Sequence, residues 1–210
     1  MDIAVSYHET VTKLQGLDLP AQGPFDRLEW YALLERPLFA LAERGEERVV
    51  LPLQRENGTL TSLIYWFSFT WRPIGTSPEC LKAIACDLRR KSAKIVLSPL
   101  PGEDGSVELV EQAFRDAGWL MLREPCDENH VLPVRDRSFE EYWADRPGKM
   151  RTTLKRKAKK VEVEILTHFD ERAWADYQAI YAESWKPEEE RSDILEAFAR
   201  AEGEAARIRL

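Results

Sequence analysis

Eight of the chain's 30 basic residues, Arg146, Lys149, Arg151, Lys155, Arg156, Lys157, Lys159 and Lys160, fall in one stretch that holds no acid. Three kinds of chemistry suit such a stretch. It can face an anionic donor or acceptor, such as coenzyme A, tRNA, a nucleotide sugar or a lipid phosphate. It can bind nucleic acid without sequence preference, or it can stay solvated and pair with the protein's own acids. If an anion is held, Arg151, Lys155, Arg156 and Lys159 are its candidate partners, with Trp185 as the aromatic candidate for lining the same cleft. Nucleic acid is the less favoured partner, because residues 149–160 offer no aromatic ring for a base to stack on. Trp174, Tyr177 and Tyr181 recur at helical spacing beside Ile180 and read as core.

Other chemistries are poorly served. His8, His130 and His168 stand singly without spaced thiol or carboxylate partners, so no metal site is expected. Cys80, Cys86 and Cys126 form no C-x-x-C pair, and their odd number argues for reduced thiols and a cytoplasmic protein. The first ten residues lack a basic start followed by an apolar run, as a signal peptide would have. The longest apolar stretch, 60–71, is broken by Thr and Ser and falls short of the ~20 residues a membrane span needs. Net charge is −7, and outside the basic stretch 22 basic residues face 37 acidic ones, which disfavours general binding to nucleic acid or anionic membrane. With 44% hydrophobic residues the chain has the material for a packed core.

The elements that would position these groups follow from periodicity. Residues 3–7 alternate as a short strand, and a Gly/Pro-rich loop then leads to a helix with Phe25, Leu28 and Leu34 on one face, stopped at Arg36-Pro37. Strands are expected over 38–42, 48–55 and 59–67; the Asn57-Gly58 pair marks a hairpin and the set an antiparallel meander. A helix over 78–90, a strand over 94–97, a helix over 107–117 capped by Gly118, and strands over 119–123 and 130–134 complete the first half. Ser138 and Glu141 form a capping-box pattern for a helix over 139–145. The basic segment 149–160 reads as an exposed helix. Beyond it come a strand over 161–166, a helix over 171–185, a helix capped by Ser192 or Asp193, and the start of a strand at 206–210. The fold class is α+β with a mixed sheet, organised as a first lobe (1–137), a helical basic connector (138–160) and the beginning of a second lobe (161–210).

The element order over 3–134 is similar to one lobe of a GNAT-type acyltransferase. Phe139-Glu-Glu-Tyr-Trp143 ahead of the basic helix Met150-Arg-Thr-Thr-Leu-Lys-Arg-Lys157, the strand and helix after it, and Ser184-Trp185-Lys186 resemble the start of the second, catalytic lobe in the CelD-like and FemAB-like two-lobed group. The resemblance implies acyl transfer from acetyl-CoA or another acyl-CoA to an amine, of a small molecule or a cell-envelope or polysaccharide precursor. In FemAB-like members the donor is aminoacyl-tRNA. It places the general base and the tyrosine that protonates the thiolate beyond Leu210, so that the chain stops within the second lobe. The acyl-CoA loop of this family has the form (Q/R)-x-x-G-x-(G/A); Arg72-Pro-Ile-Gly75-Thr76-Ser77 resembles it but for Ser77, and would bind cofactor through Arg72, Gly75, Thr76 and Ser77. The same residues are also what a simple helix start uses, with Gly75 in a turn, Ser77 as cap and Pro78 at the first helical position.

Overall fold

The computed structural model describes residues 2–126, 128, 132, 136–186 and 191–208. The chain is of the α+β class and divides into two compact units, Met1–Cys126 and Asp127–Leu210. The basic segment therefore falls inside the second unit.

The first unit is built on a five-stranded sheet in the order β1 (Ala4–His8), β2 (Pro37–Arg44), β3 (Glu47–Glu56), β4 (Thr59–Ser62), β5 (Ile95–Val96). β2, β3 and β4 form the expected antiparallel meander, and β1 pairs antiparallel with β2 on its outer edge. Asn57 and Gly58 both adopt positive φ, 48° and 82°, which a two-residue hairpin turn between twisted strands requires. β5 then joins β4 in parallel, at Leu60↔Ile95 and Thr61↔Val96. A parallel neighbour needs a crossover, and α2 (Pro78–Leu88) supplies it.

β3 has Val49 to Leu53 buried without a break, so both sheet faces are covered. Ala40, Ala42, Val49, Leu51 and Leu53 pack with Leu81, Ile84, Ala85 and Leu88 of α2 and with Val110 and Phe114 of α3 (Ser106–Asp116). On the other face Phe39 meets Tyr31 edge-on, at 6.0 Å between centroids. Gly118, at φ +81°, ends α3 in a Schellman arrangement: Trp119 N–H reaches back to Phe114 O at 3.0 Å and Gly118 N–H to Arg115 O at 2.9 Å.

Three expectations fail in this unit for visible reasons. The strand expected over 59–67 stops at Ser62. The carbonyl of Pro52 in β3 points to the β4 side and accepts Leu63 N–H and Trp71 Nε1, at 3.0 and 2.7 Å, while Pro52 has no N–H to extend the ladder. The helix expected from Phe25 to Leu34 is split into a 3-10 turn, Pro24–Asp26, and the short α1, Leu28–Tyr31. Arg27 between them is extended (φ −86°, ψ 151°) and its carbonyl takes the N–H groups of both Trp30 and Tyr31. Residues 119–123 form no strand. Trp119 and Met121 lie on the core while Leu120 and Leu122 are exposed, and among the described residues they join no strand ladder. Of the strand expected over 130–134, all but Leu132 lies outside the described residues.

Tyr7 of β1 donates its hydroxyl to Asp87 Oδ2 of α2 at 2.7 Å, and this bond is the first cause holding the Asp87 carboxyl below its ordinary value. A carboxyl depressed on folding contributes stability above its unfolded pKa and loses it as pH falls through the folded value. Tyr7→Phe is therefore expected to cost about 1–2 kcal/mol near neutral pH and close to nothing in strong acid. Urea denaturation at the two pH values checks this, and a pH-independent cost would contradict it.

The second unit holds α4 (Phe139–Ala144), α5 (Gly148–Ala158), α6 (Glu171–Ala182) and α7 (Ser192–Glu204). Ser138 and Glu141 form the full capping box, with Glu141 N–H on Ser138 Oγ at 3.1 Å and Ser138 N–H on Glu141 Oε2 at 2.8 Å. Asp170 caps α6 by accepting Ala173 N–H at 2.8 Å. α7 departs from expectation, since neither Ser192 nor Asp193 caps it; Arg191 occupies that position. Among the described residues of this unit, Trp174, Ile194 and Phe198 are the buried apolar ones. Gly203 lets α7 approach Phe169, whose backbone N would lie 2.7 Å from any Cβ at that position. The strand expected over 161–166 does not form: Val161, Val163 and Ile165 are exposed, and among the described residues of this unit no backbone ladder exists. Without a sheet beneath it, the aromatic stripe of α6 buries only Trp174. Tyr177 is exposed and Tyr181 only half-buried, which corrects their assignment to a core, and Ile180 beside them is exposed.

Candidate functional site

Between β4 and α2 the chain crosses the loop that carries Arg72, Gly75, Thr76 and Ser77. Trp71 anchors its start, fully buried, with its Nε1 on Pro52 O. Ile74 and Val50 of β3 then exchange both backbone hydrogen bonds, at 2.8 and 2.9 Å. Gly75 follows at φ +94°, and a Cβ there would sit 2.2 Å from Arg48 O. The glycine is thus required by close approach of two backbones. Ser77 accepts Cys80 N–H in a long bond of 3.5 Å and donates to Glu47 Oε2 at 2.6 Å, with Pro78 at the first helical position. The Ser77 hydroxyl is the first cause holding the Glu47 carboxyl below its ordinary range. Thr76 is exposed.

Arg72 turns inward. Its Nη1 donates to Asp26 Oδ2 at 2.9 Å, its Nε lies 3.1 Å from Asp104 Oδ2, and its Nη2 donates to Thr70 Oγ1 at 3.3 Å. The Asp26 and Arg72 side chains are 6% and 13% exposed, so their attraction is weakly screened. Burial pushes the Asp26 carboxyl above its ordinary value, while Arg72 pulls the other way. Burial, and then Asp26, pushes the Tyr31 phenol far up. Sequence reasoning picked out Arg72 and missed Asp26 and Asp104, which come to it from distant parts of the chain. The split at Arg27 is what sets Asp26 at the end of its own short turn.

The second unit carries the other candidates. Every residue of α5 but Thr153 is exposed. Among the described residues, the side chains of Lys149, Arg151, Lys155, Arg156, Lys157, Lys159 and Lys160 take part in no ion pair or hydrogen bond. Arg146 differs, resting over the Tyr142 ring at 4.5 Å. Met150 and Leu154 are exposed along one face of α5, and Trp185, 92% exposed, follows the end of α6. The first unit thus holds an inward-facing charge cluster, and the second a row of cations that have no partner among the described residues.

Among the described residues no group of three His, Cys, Asp or Glu side chains is gathered as a metal site, and no helix is long and apolar enough to cross a membrane. Cys80 is buried, and Cys86 and Cys126 are exposed free thiols. No protein-family model, curated protein or solved structure matches this chain.

Proposed function

We propose that the chain serves acyl transfer of the GNAT type, from an acyl-CoA thioester to an amine. The observation that carries this reading is the topology of the first unit. Its strands β1–β4, followed by α2, β5 and α3, follow the first part of the element order that the resemblance implies for one such lobe; the two closing strands of that order are not among the described elements. In the reaction the amine nitrogen attacks the thioester carbonyl, the C–N bond forms as the C–S bond breaks, and the amine proton leaves as the thiolate takes one up. A protein contributes positioning, proton removal and donors for the oxyanion. Calorimetric titration of the chain with acetyl-CoA tests the proposal. Saturable micromolar binding, displaced by free coenzyme A, is expected; the absence of any binding heat at two temperatures would remove coenzyme A from the account.

A second reading is favoured by one observation, the exposed cations of α5, which have no partner among the described residues: a noncatalytic module that presents this helix to a polyanion. Retention on a polyanion matrix should then weaken steeply with salt and vanish when Lys155, Arg156, Lys159 and Lys160 are replaced by Ala. Absent or salt-insensitive retention sinks this reading.

A further inference from the structure

We propose that α5 docks on the surface of an anionic lipid bilayer, lying in the headgroup plane with its apolar stripe toward the acyl chains. The inference deepens the polyanion reading and rests on it for the availability of the cations; it does not depend on acyl transfer. Its basis is the arrangement of residue types around α5. Met150, Leu154 and Ala158 recur at intervals of four and so form one stripe along the helix. Met150 and Leu154 are 42% and 41% exposed, with Lys157, seven residues on from Met150 and three from Leu154, at the edge of their stripe.

Arg151 and Lys155, continued by Lys159 at the C-cap, line one flank of that stripe. Lys157, with Thr153 behind it, lines the other, and Lys149, Arg156 and Lys160 lie on the face opposite the stripe. None of these cations has a protein partner among the described residues, and no acid interrupts the helix. A helix with cations on both flanks of an exposed apolar stripe suits a membrane interface. The stripe enters the boundary of the hydrocarbon while the long basic side chains reach up to the lipid phosphates. A nucleic-acid backbone would use the charges but gain nothing from Met150 and Leu154, and the helix offers it no ring for stacking. The charge of α5 is opposite to that of an anionic leaflet.

Co-sedimentation of the whole chain decides the matter, using vesicles of phosphatidylcholine alone and of phosphatidylcholine mixed with phosphatidylserine, with a homopolymer RNA run in parallel. Binding is expected to the mixed vesicles only. It should fall roughly a hundredfold when Lys155, Arg156 and Lys159 are together replaced by Ala. Met150→Gln with Leu154→Gln should lower vesicle binding by about tenfold while leaving retention on a polyanion matrix unchanged. Glutamine is a good helix former and α5 buries no residue, so these variants keep the fold, which circular dichroism verifies. Vesicle binding that ignores the glutamine pair overturns the proposal. Binding to RNA but not to vesicles also overturns it and leaves the polyanion reading standing; binding to neither removes both.

Discussion

Arg72→Met is expected to destabilise the first unit by about 3–5 kcal/mol, because it leaves the Asp26 carboxylate buried without its cation. Asp26 is 5% exposed, and Arg72 is its charged hydrogen-bond partner at 2.9 Å. Methionine fills the space of the side-chain stem, so the loss isolates the charge more than the packing. The pH dependence gives a second handle. Burial already raises the Asp26 carboxyl, and removing Arg72 raises it further. A carboxyl raised on folding binds its proton more readily in the folded state, so its burden on stability is absent below the unfolded pKa and develops as pH rises through the folded value. The deficit of Arg72→Met should accordingly shrink in acid, and Asp26→Asn in the same background should recover part of it. Denaturation curves across pH measure both. A loss under about 1 kcal/mol, typical of a solvated surface pair, would show that the cluster is not a buried one.

Gly75→Ala is the second large effect. Two costs add at this position, the positive φ of 94° and the overlap of the new methyl with Arg48 O at 2.2 Å. The first is worth about 1–2 kcal/mol and the second about 1–3. Relaxation is blocked on one side by the paired hydrogen bonds of Ile74 and Val50. The total expected is therefore about 2–5 kcal/mol. Gly58→Ala separates the contributions, since Gly58 shares a positive φ of 82° but has nothing within 4 Å of the added carbon. Thermal denaturation should show the Gly75 variant falling well below the Gly58 one. Equal losses would mean that the backbone at 48–49 yields to the methyl.

Much of the first unit was legible because its instructions are local. Asn57-Gly58 fixes a hairpin, Ser77-Pro78 starts a helix, Gly118 ends one, and apolar spacing gives α2 and α3 their inner faces. What escaped depends on partners remote in the chain. The alternation of Val161, Val163 and Ile165 reads as a strand, but a strand needs a neighbouring backbone, and among the described residues these pair with none. The run from Leu60 to Phe67 is apolar enough for a long strand, yet a proline on the adjacent strand removes the next donor. At the candidate sites, an exposed basic helix could be read from the absence of acids and the scarcity of apolar residues. The inward turn of Arg72 could not, because Asp26 and Asp104 carry no mark in the sequence that ties them to it.

The way β5 joins the sheet also orders its assembly. β2, β3 and β4 meet through turns so tight that pairing follows within a few residues of each reversal. β5 reaches β4 only after the whole crossover through α2, and it is held there at two register positions. Closing a long loop costs entropy before any contact rewards it, so the meander is the natural nucleus and the parallel pair a late event. Read in reverse, the β4–β5 seam is the first part of the sheet to open: amides there should exchange with solvent through local fluctuations while those at the centre of β3 wait for the whole unit to unfold.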